Sequence, residues 1–152
     1  MTTIAYRNGV LAADTCVSVG DSHNGRIVKI ARRDDGSLAG AAGDAAYNAA
    51  FLRWFSEHEQ GAPPEAMSSR DYNTFDRGVI FRPDGTIEVF EPRGSHTLAA
   101  KYYALGSGRP EALGAMFAGA DALTAVRAAM AHDAHTGGEV LAVSRHGSVG
   151  GE

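Results

Sequence analysis

The order of segments in this chain predicts an α+β fold built in layers, with mostly antiparallel sheets covered by helices. Three observations carry the prediction. Tight-turn signals at Asn8-Gly9, Asp34-Asp35-Gly36 and Pro83-Asp84-Gly85 each separate two apolar runs, as in a β-hairpin. Apolar residues recur at helical spacing in three other segments. These helical segments follow groups of strands, giving strands, helix, strands, helix pair, strand, instead of alternating singly with strands as a parallel sheet requires.

The first hairpin joins Thr3–Tyr6 to Val10–Val19. Alternation along the second strand puts Val10, Ala12, Asp14, Cys16 and Ser18 on one face and Leu11, Ala13, Thr15, Val17 and Val19 on the other. Gly20–Gly25 reads as a turn. A second hairpin pairs Arg26–Arg33 with Ser37–Ala42. Asp44 is placed to cap a helix reaching about Gln60, whose Tyr47, Phe51, Trp54 and Phe55 form one apolar stripe. Gly61–Arg77, with Pro63-Pro64 and Ser68-Ser69, reads as a long loop. The third hairpin joins Val79–Phe81 to Ile87–Phe90. Tyr102–Leu105 reads as a buried strand ending in Gly106-Ser107-Gly108. Pro110 suits the first turn of a helix carrying Leu113, Met116 and Phe117. Asp121 caps another helix, to Asp133, with Leu123, Val126, Ala129 and Met130 inward. Glu139–Ser144 supplies a closing strand, and His146–Glu152 is expected to be a loose tail.

Composition narrows the function. With 152 residues, one domain spanning 1–152 is expected, large enough to bury its own core. A formal charge of −4 gives no support for nucleic acid or an anionic membrane as partner. One cysteine, Cys16, rules out an intrachain disulfide and suits a reducing compartment. No apolar run approaches the ~20 residues of a membrane span, and Arg7-Asn8-Gly9 interrupts any signal-peptide pattern. A cytoplasmic location is the expectation. Cys16 lies mid-strand without a local histidine, which reads as a small core residue. His132 and His135 straddle a helix end without a further clear side-chain ligand.

The Met1-Thr2 start carries more chemistry. Methionine removal before a small residue is expected to make Thr2 the N-terminus, placing a hydroxyl nucleophile and a free α-amine on one residue. Behind it come Gly9-Val10-Leu11-Ala12-Ala13-Asp14-Thr15, Lys29-Ile30, Gly40-Ala41-Ala42-Gly43-Asp44-Ala45-Ala46, Ala104-Leu105-Gly106-Ser107-Gly108 and Asp133-Ala134-His135-Thr136-Gly137-Gly138. In this order the segments resemble the N-terminal-threonine peptidases, the proteasome β subunits and the HslV-type bacterial peptidase. They run collinearly over nearly the whole chain.

The resemblance implies a four-layer αββα sandwich of the N-terminal-nucleophile hydrolase type. It implies Thr2 as nucleophile and base, Lys29 as the cation that lowers the amine's basicity, and Asp14 as the partner of Lys29. The Gly43 N–H is the implied oxyanion donor. Ser107, Asp133 and Thr136 are implied to hydrogen-bond around the threonine amine, Thr136 standing where a serine is commoner. Val17, Ile27, Ala31, Ala41, Ala45 and Ala49 fall at or near the family's substrate pocket, implying cleavage after a hydrophobic residue. No cofactor is implied. A structural monovalent or divalent cation on backbone carbonyls at His132, His135 and Gly138 is compatible with the family pattern.

The implied partners are a peptide or unfolded protein substrate, further copies in a homo-oligomeric ring, and an AAA+ unfoldase. One departure stands out. The family's second long helix has no counterpart, because Gly61–Arg77 is too short and proline-rich to form it, which puts ATPase docking in question. Two other functions share the fold: a non-catalytic assembly subunit, as proteasome α-type subunits are, and an amidase acting on a small acylated amine.

Overall fold

The structure is a computed structural model and describes residues 2–20 and 22–149. The first five-stranded sheet contains β1 (Thr3–Arg7), β2 (Val10–Ala13), β10 (Tyr102–Gly106), β11 (Leu141–Ser144) and β12 (Gly147–Val149), in the order β10-β1-β2-β11-β12. The second contains β5 (Ile30–Arg32), β6 (Leu38–Ala42), β7 (Arg77–Phe81), β8 (Ile87–Glu91) and β9 (Gly94–Leu98), in sequence order. A separate two-stranded ribbon pairs β3 (Cys16–Val19) with β4 (Ser22–Arg26). Every pairing among these strands is antiparallel. Three helices complete the described residues: α1 (Ala45–Ser56), α2 (Arg109–Phe117) and α3 (Ala122–His132).

Strand periodicity sorts the side chains into layers. Ile4, Tyr6, Leu11 and Ala13 of the first sheet meet Leu38, Val79, Phe81, Ile87 and Val89 of the second in a dry core between the sheets. The alternate residues Ala5, Ala12, Ala104 and Ala142 face Ala112, Met116, Ala125 and Val126 of α2 and α3. Small residues on both sides let the helix pair approach the sheet closely. Ala39, Ala41, Ile80 and Phe90 face Tyr47, Phe51 and Phe55 of α1 on the outer side of the second sheet. The order of layers is helix pair, sheet, sheet, single helix, and residues 57–76 contain no helix.

Several expectations need correction. Val10–Val19 is two strands, because at Asp14-Thr15 the chain leaves the sheet and the Thr15 and Cys16 N–H groups both donate to the Gly137 carbonyl. Gly20–Gly25 is not all turn. Ser22–Arg26 pairs with β3 through a register shift at Val17/Ser18, and its polar, exposed residues carry no alternation that could announce a strand. The same reason hides β9, an edge strand of residues Gly-Ser-His-Thr-Leu, exposed at its first four positions. The first helix stops at Ser56, where His58 and Glu59 take positive φ of 60° and 58°. There Glu59 is clamped by Arg33 at 2.7 Å and Arg82 at 2.6 and 2.8 Å. The expected loose tail includes β12, which pairs with β11, while residues 150–152 lie outside the described residues.

Two glycines, one in β7 under α1 and one on the exposed side of α2, differ in how much they tolerate. A Cβ built on Gly78 would lie 2.3 Å from the Phe51 ring, in the core under α1, whereas one on Gly114, in the middle of α2, meets nothing. Gly78→Ala is expected to cost about 1–3 kcal/mol by overpacking. Gly114→Ala should stabilise by about 0.8–1 kcal/mol through helix propensity. Equilibrium urea denaturation of the two variants measures both, and equal effects would overturn the layer assignment.

Candidate active site

Residues at one end of the two sheets converge on Thr2. Its side chain is 2% exposed, and it lines a cleft of about 670 Å³ together with Gly43, Asp76, Gly106, Ser107 and Arg109. The Thr2 carbonyl accepts from the Gly108 N–H and from the Ser107 hydroxyl, each at 3.4 Å. This contact explains the glycines of the Gly106-Ser107-Gly108 run. A Cβ on Gly106, which has φ +100°, would fall 1.9 Å from the Thr2 carbonyl oxygen, and one on Gly108 would fall 1.9 Å from the Thr3 hydroxyl. The Thr2 backbone excludes a side chain at Gly106, and the Thr3 side chain excludes one at Gly108.

Asp14 ties the site together. Its Oδ1 accepts from the Thr3 N–H at 3.0 Å and from Lys29 Nζ at 2.9 Å, and its Oδ2 accepts from the Gly137 N–H at 3.1 Å. The two side chains of the ion pair are 0% and 1% exposed. Burial pushes the Lys29 ammonium below its ordinary lysine value, while the Asp14 charge and hydrogen bond work in the opposite direction. The lysine is therefore aimed by a carboxylate that also holds the amide of the residue following Thr2.

A second network lies on the other side of β1. Asp133 Oδ2 accepts from the Ser107 hydroxyl at 2.6 Å and from the Thr136 hydroxyl. Because Thr136 donates to Asp133, its oxygen is left to accept from the Thr3 hydroxyl at 2.6 Å. Desolvation acts to raise the Asp133 carboxyl. Hydrogen bonds from Ser107, Thr136 and the His135 N–H outweigh it and hold the group below the usual aspartate range. The α3 C-terminus delivers Asp133, and the loop after it brings Thr136 and Gly137 back to β1.

Gly43 ends β6 with φ +127° and faces the cleft immediately before α1. Asp44 occupies the N-cap without a side-chain capping bond. Its N–H donates instead to Asp76 Oδ1 at 2.8 Å.

The structure thus brings together Thr2, Asp14, Lys29, Ser107, Asp133 and Thr136, with Gly43 across the cleft. It does not gather the six pocket residues there. Ala41 is buried under α1 and Ala31 packs at the edge of that cluster. Ala45 and Ala49 are exposed on α1, and Val17 and Ile27 are half-buried on or beside the ribbon. The cleft walls are instead Met67–Ser69, Asn73–Arg77 and Arg109-Pro110. No three His, Cys, Asp or Glu side chains converge as a metal site among the described residues. Cys16 is buried, as a core residue should be. Sequence reasoning passed over Thr3, Asp76 and Gly137. Their roles arise from pairings across 11, 32 and 123 residues, which no local pattern encodes.

Among solved structures, the chain is similar to Thiobacillus denitrificans BPH in complex with epoxomicin and to a second structure of Thiobacillus denitrificans BPH. Each comparison gives a TM-score of 0.63 and 24% identity, covering 93% of this chain and 95% of that one. At that identity the likeness shows a shared fold. No family model and no curated protein matches the sequence.

Asp14→Ala removes the carboxylate shared by Lys29 and the Thr3 and Gly137 N–H groups and is expected to cost about 3–5 kcal/mol. Adding Lys29→Met should return at least about 1 kcal/mol, because the buried ammonium that lost its carboxylate is then gone while the Thr3 and Gly137 N–H groups still lack that acceptor. A double-mutant cycle by chemical denaturation checks this, and strict additivity would show that the pair is uncoupled.

Proposed function

We propose that this chain is a threonine-type endopeptidase of the proteasome β-subunit and HslV kind, on an N-terminal-nucleophile hydrolase sandwich, with processed Thr2 as nucleophile. The observation that carries the reading is the buried Asp14 carboxylate, which binds Lys29 and the Thr3 amide through one oxygen directly behind Thr2. An ordinary surface ion pair contributes about 0–1 kcal/mol and needs no burial. Burying this one costs desolvation, which catalysis accounts for better than stability does. That a protein of the same fold forms a complex with epoxomicin supports the reading.

In the proposed reaction, the neutral α-amine of Thr2 accepts the hydroxyl proton as Oγ attacks the carbonyl carbon of a peptide bond. The resulting oxyanion takes the Gly43 N–H. The protonated amine then gives its proton to the leaving nitrogen, the C–N bond breaks, and an ester to Thr2 remains. Water attacks the ester, again losing its proton to the amine. The acid product leaves as Oγ recovers that proton. Lys29 disfavours a second positive charge beside it and so keeps the amine basic but unprotonated. Cleavage after hydrophobic residues, enclosure in a homo-oligomeric ring and a cytoplasmic setting complete the proposal, and no helix of the described residues is long and apolar enough to cross a membrane.

Intact mass should show loss of Met1, and epoxomicin should add its mass to the fragment that begins at Thr2 and block peptide hydrolysis. Thr2→Ala should abolish both labelling and hydrolysis by at least about 10³-fold. A retained Met1, or full activity in Thr2→Ala, overturns the reading. The acidic limb of kcat/KM should lie below the reference α-amine pKa of about 7.7–8.0, since the ammonium nearby lowers it. Activity is then lost as the pH falls through that value and the amine protonates. A limb displaced upward would contradict the role of Lys29.

A further inference from the structure

We propose that Asp76 is the positioning residue for the oxyanion donor, holding the Gly43 turn and one wall of the cleft with a single carboxylate. The proposal rests on the threonine-peptidase reading and adds to it a residue that the resemblance does not supply.

The β6–β7 ladder ends with Ala42 opposite Arg77. The next residues on the two strands are Gly43 and Asp76. No backbone rung follows. The Asp76 side chain stands in for one, its Oδ1 accepting the Asp44 N–H at 2.8 Å. Gly43 is thus held at both sides, by the ladder through Ala42 and by the carboxylate through Asp44. A Cβ at Gly43 would lie 2.3 Å from that Oδ1 and 2.8 Å from the Asp76 Cα, so the carboxylate occupies the space that only glycine leaves open. Among the described residues no hydrogen bond engages the Gly43 N–H itself, and Gly43 lines the cleft.

The other oxygen holds the wall. Asp76 Oδ2 accepts the Met67 N–H at 2.9 Å, and the Asp76 N–H donates back to the Met67 carbonyl at 2.8 Å. Asp76 is 6% exposed, so neither bond is exchanged freely for water. The charge also lies at the N-terminus of α1, where the helix dipole favours it.

The chemistry demands a carboxylate. Both oxygens accept, one from each side of the cleft. A carboxamide offers one acceptor and one donor, so in Asp76→Asn an NH₂ group must oppose either the Asp44 or the Met67 N–H. Asp76→Glu keeps two acceptors at the cost of one methylene. A residue that merely stabilised the fold would lower Tm and leave the turnover of folded enzyme intact.

The test uses the full chain, with wild type, Asp76→Asn and Asp76→Glu compared for peptide hydrolysis and amide hydrogen exchange. Asp76→Asn should lower kcat about 100-fold with KM changed less than about threefold, as expected for a displaced oxyanion donor. Exchange at the Asp44 and Met67 amides should rise at least about tenfold. Asp76→Glu should recover about tenfold of the lost kcat. If Asp76→Asn does not fold, Asp76→Glu is read alone and should lose kcat at constant KM. Unaltered kcat in either folded variant, a loss confined to KM, or unchanged amide exchange overturns the proposal. A wild type that neither cleaves peptides nor reacts with epoxomicin at Thr2 removes the peptidase reading beneath it. A reactive wild type with unaffected variants removes this inference alone.

Discussion

The buried carboxylate of Asp14 is the constraint on which the rest of this end of the molecule depends. Three donors from distant parts of the chain meet on its two oxygens: the Thr3 amide, the Lys29 ammonium and the Gly137 amide. An ionised pair this deep survives only when its remaining hydrogen-bonding capacity is filled, and here it is filled by backbone. The consequence is positional. The start of β1, the segment after β4 and the loop after α3 are tied together, because each supplies a donor to the same buried carboxylate. β2 leaves its sheet at this residue, so the break in the strand and the ion pair are one event.

The layers serve that constraint. The dry core between the sheets fixes Ile4 and Leu11, and with them the register that sets Thr3 opposite Gly106. Alanines on the outer face bring α2 and α3 close to β1, and that closeness puts Asp133 and Thr136 within reach of Ser107 and Thr3. Here glycine acts by absence. At positions 106 and 108 a side chain would collide with Thr2 and Thr3 themselves, so the Gly-Ser-Gly run lets the chain pack directly against these two residues.

How much of this was legible in sequence follows from distance along the chain. The hairpin at Asn8-Gly9, the cap at Asp121 and the stripe of Tyr47, Phe51 and Phe55 depend on neighbours within a few residues, and they appear in the structure where local rules put them. β4 and β9 do not obey those rules, because exposed polar strands have no face to bury and are held by the ladder alone. The candidate site was readable only as an ordered series of short motifs resembling a family pattern. Neither the burial of Asp14 nor its sharing between Lys29 and Thr3 was encoded in any window of sequence. The six pocket positions show the limit of such matching. Alignment carries residue identities across, but the space beside Thr2 is shaped by residues 67–77, where this chain has its own solution.

That solution is a loop in place of a helix. Between α1 and β7 the chain makes a bridge from Ser68 to Phe75 and a bond from the Ser69 N–H to the Thr74 carbonyl at 2.8 Å. Asp71 closes the tip by accepting from the Ser69 hydroxyl at 2.8 Å and the Asn73 N–H at 3.1 Å. A segment so closed on itself keeps its shape without a helix partner, yet has few apolar contacts to anchor it. Its tip touches the body through Tyr72, which Arg93 covers and bonds, and Asp76 joins its two ends by binding Met67 while its neighbour Arg77 enters β7. With no helix in residues 57–76, this wall of the cleft is held by hydrogen bonds more than by packing. A wall held this way is defined by direction more than by volume.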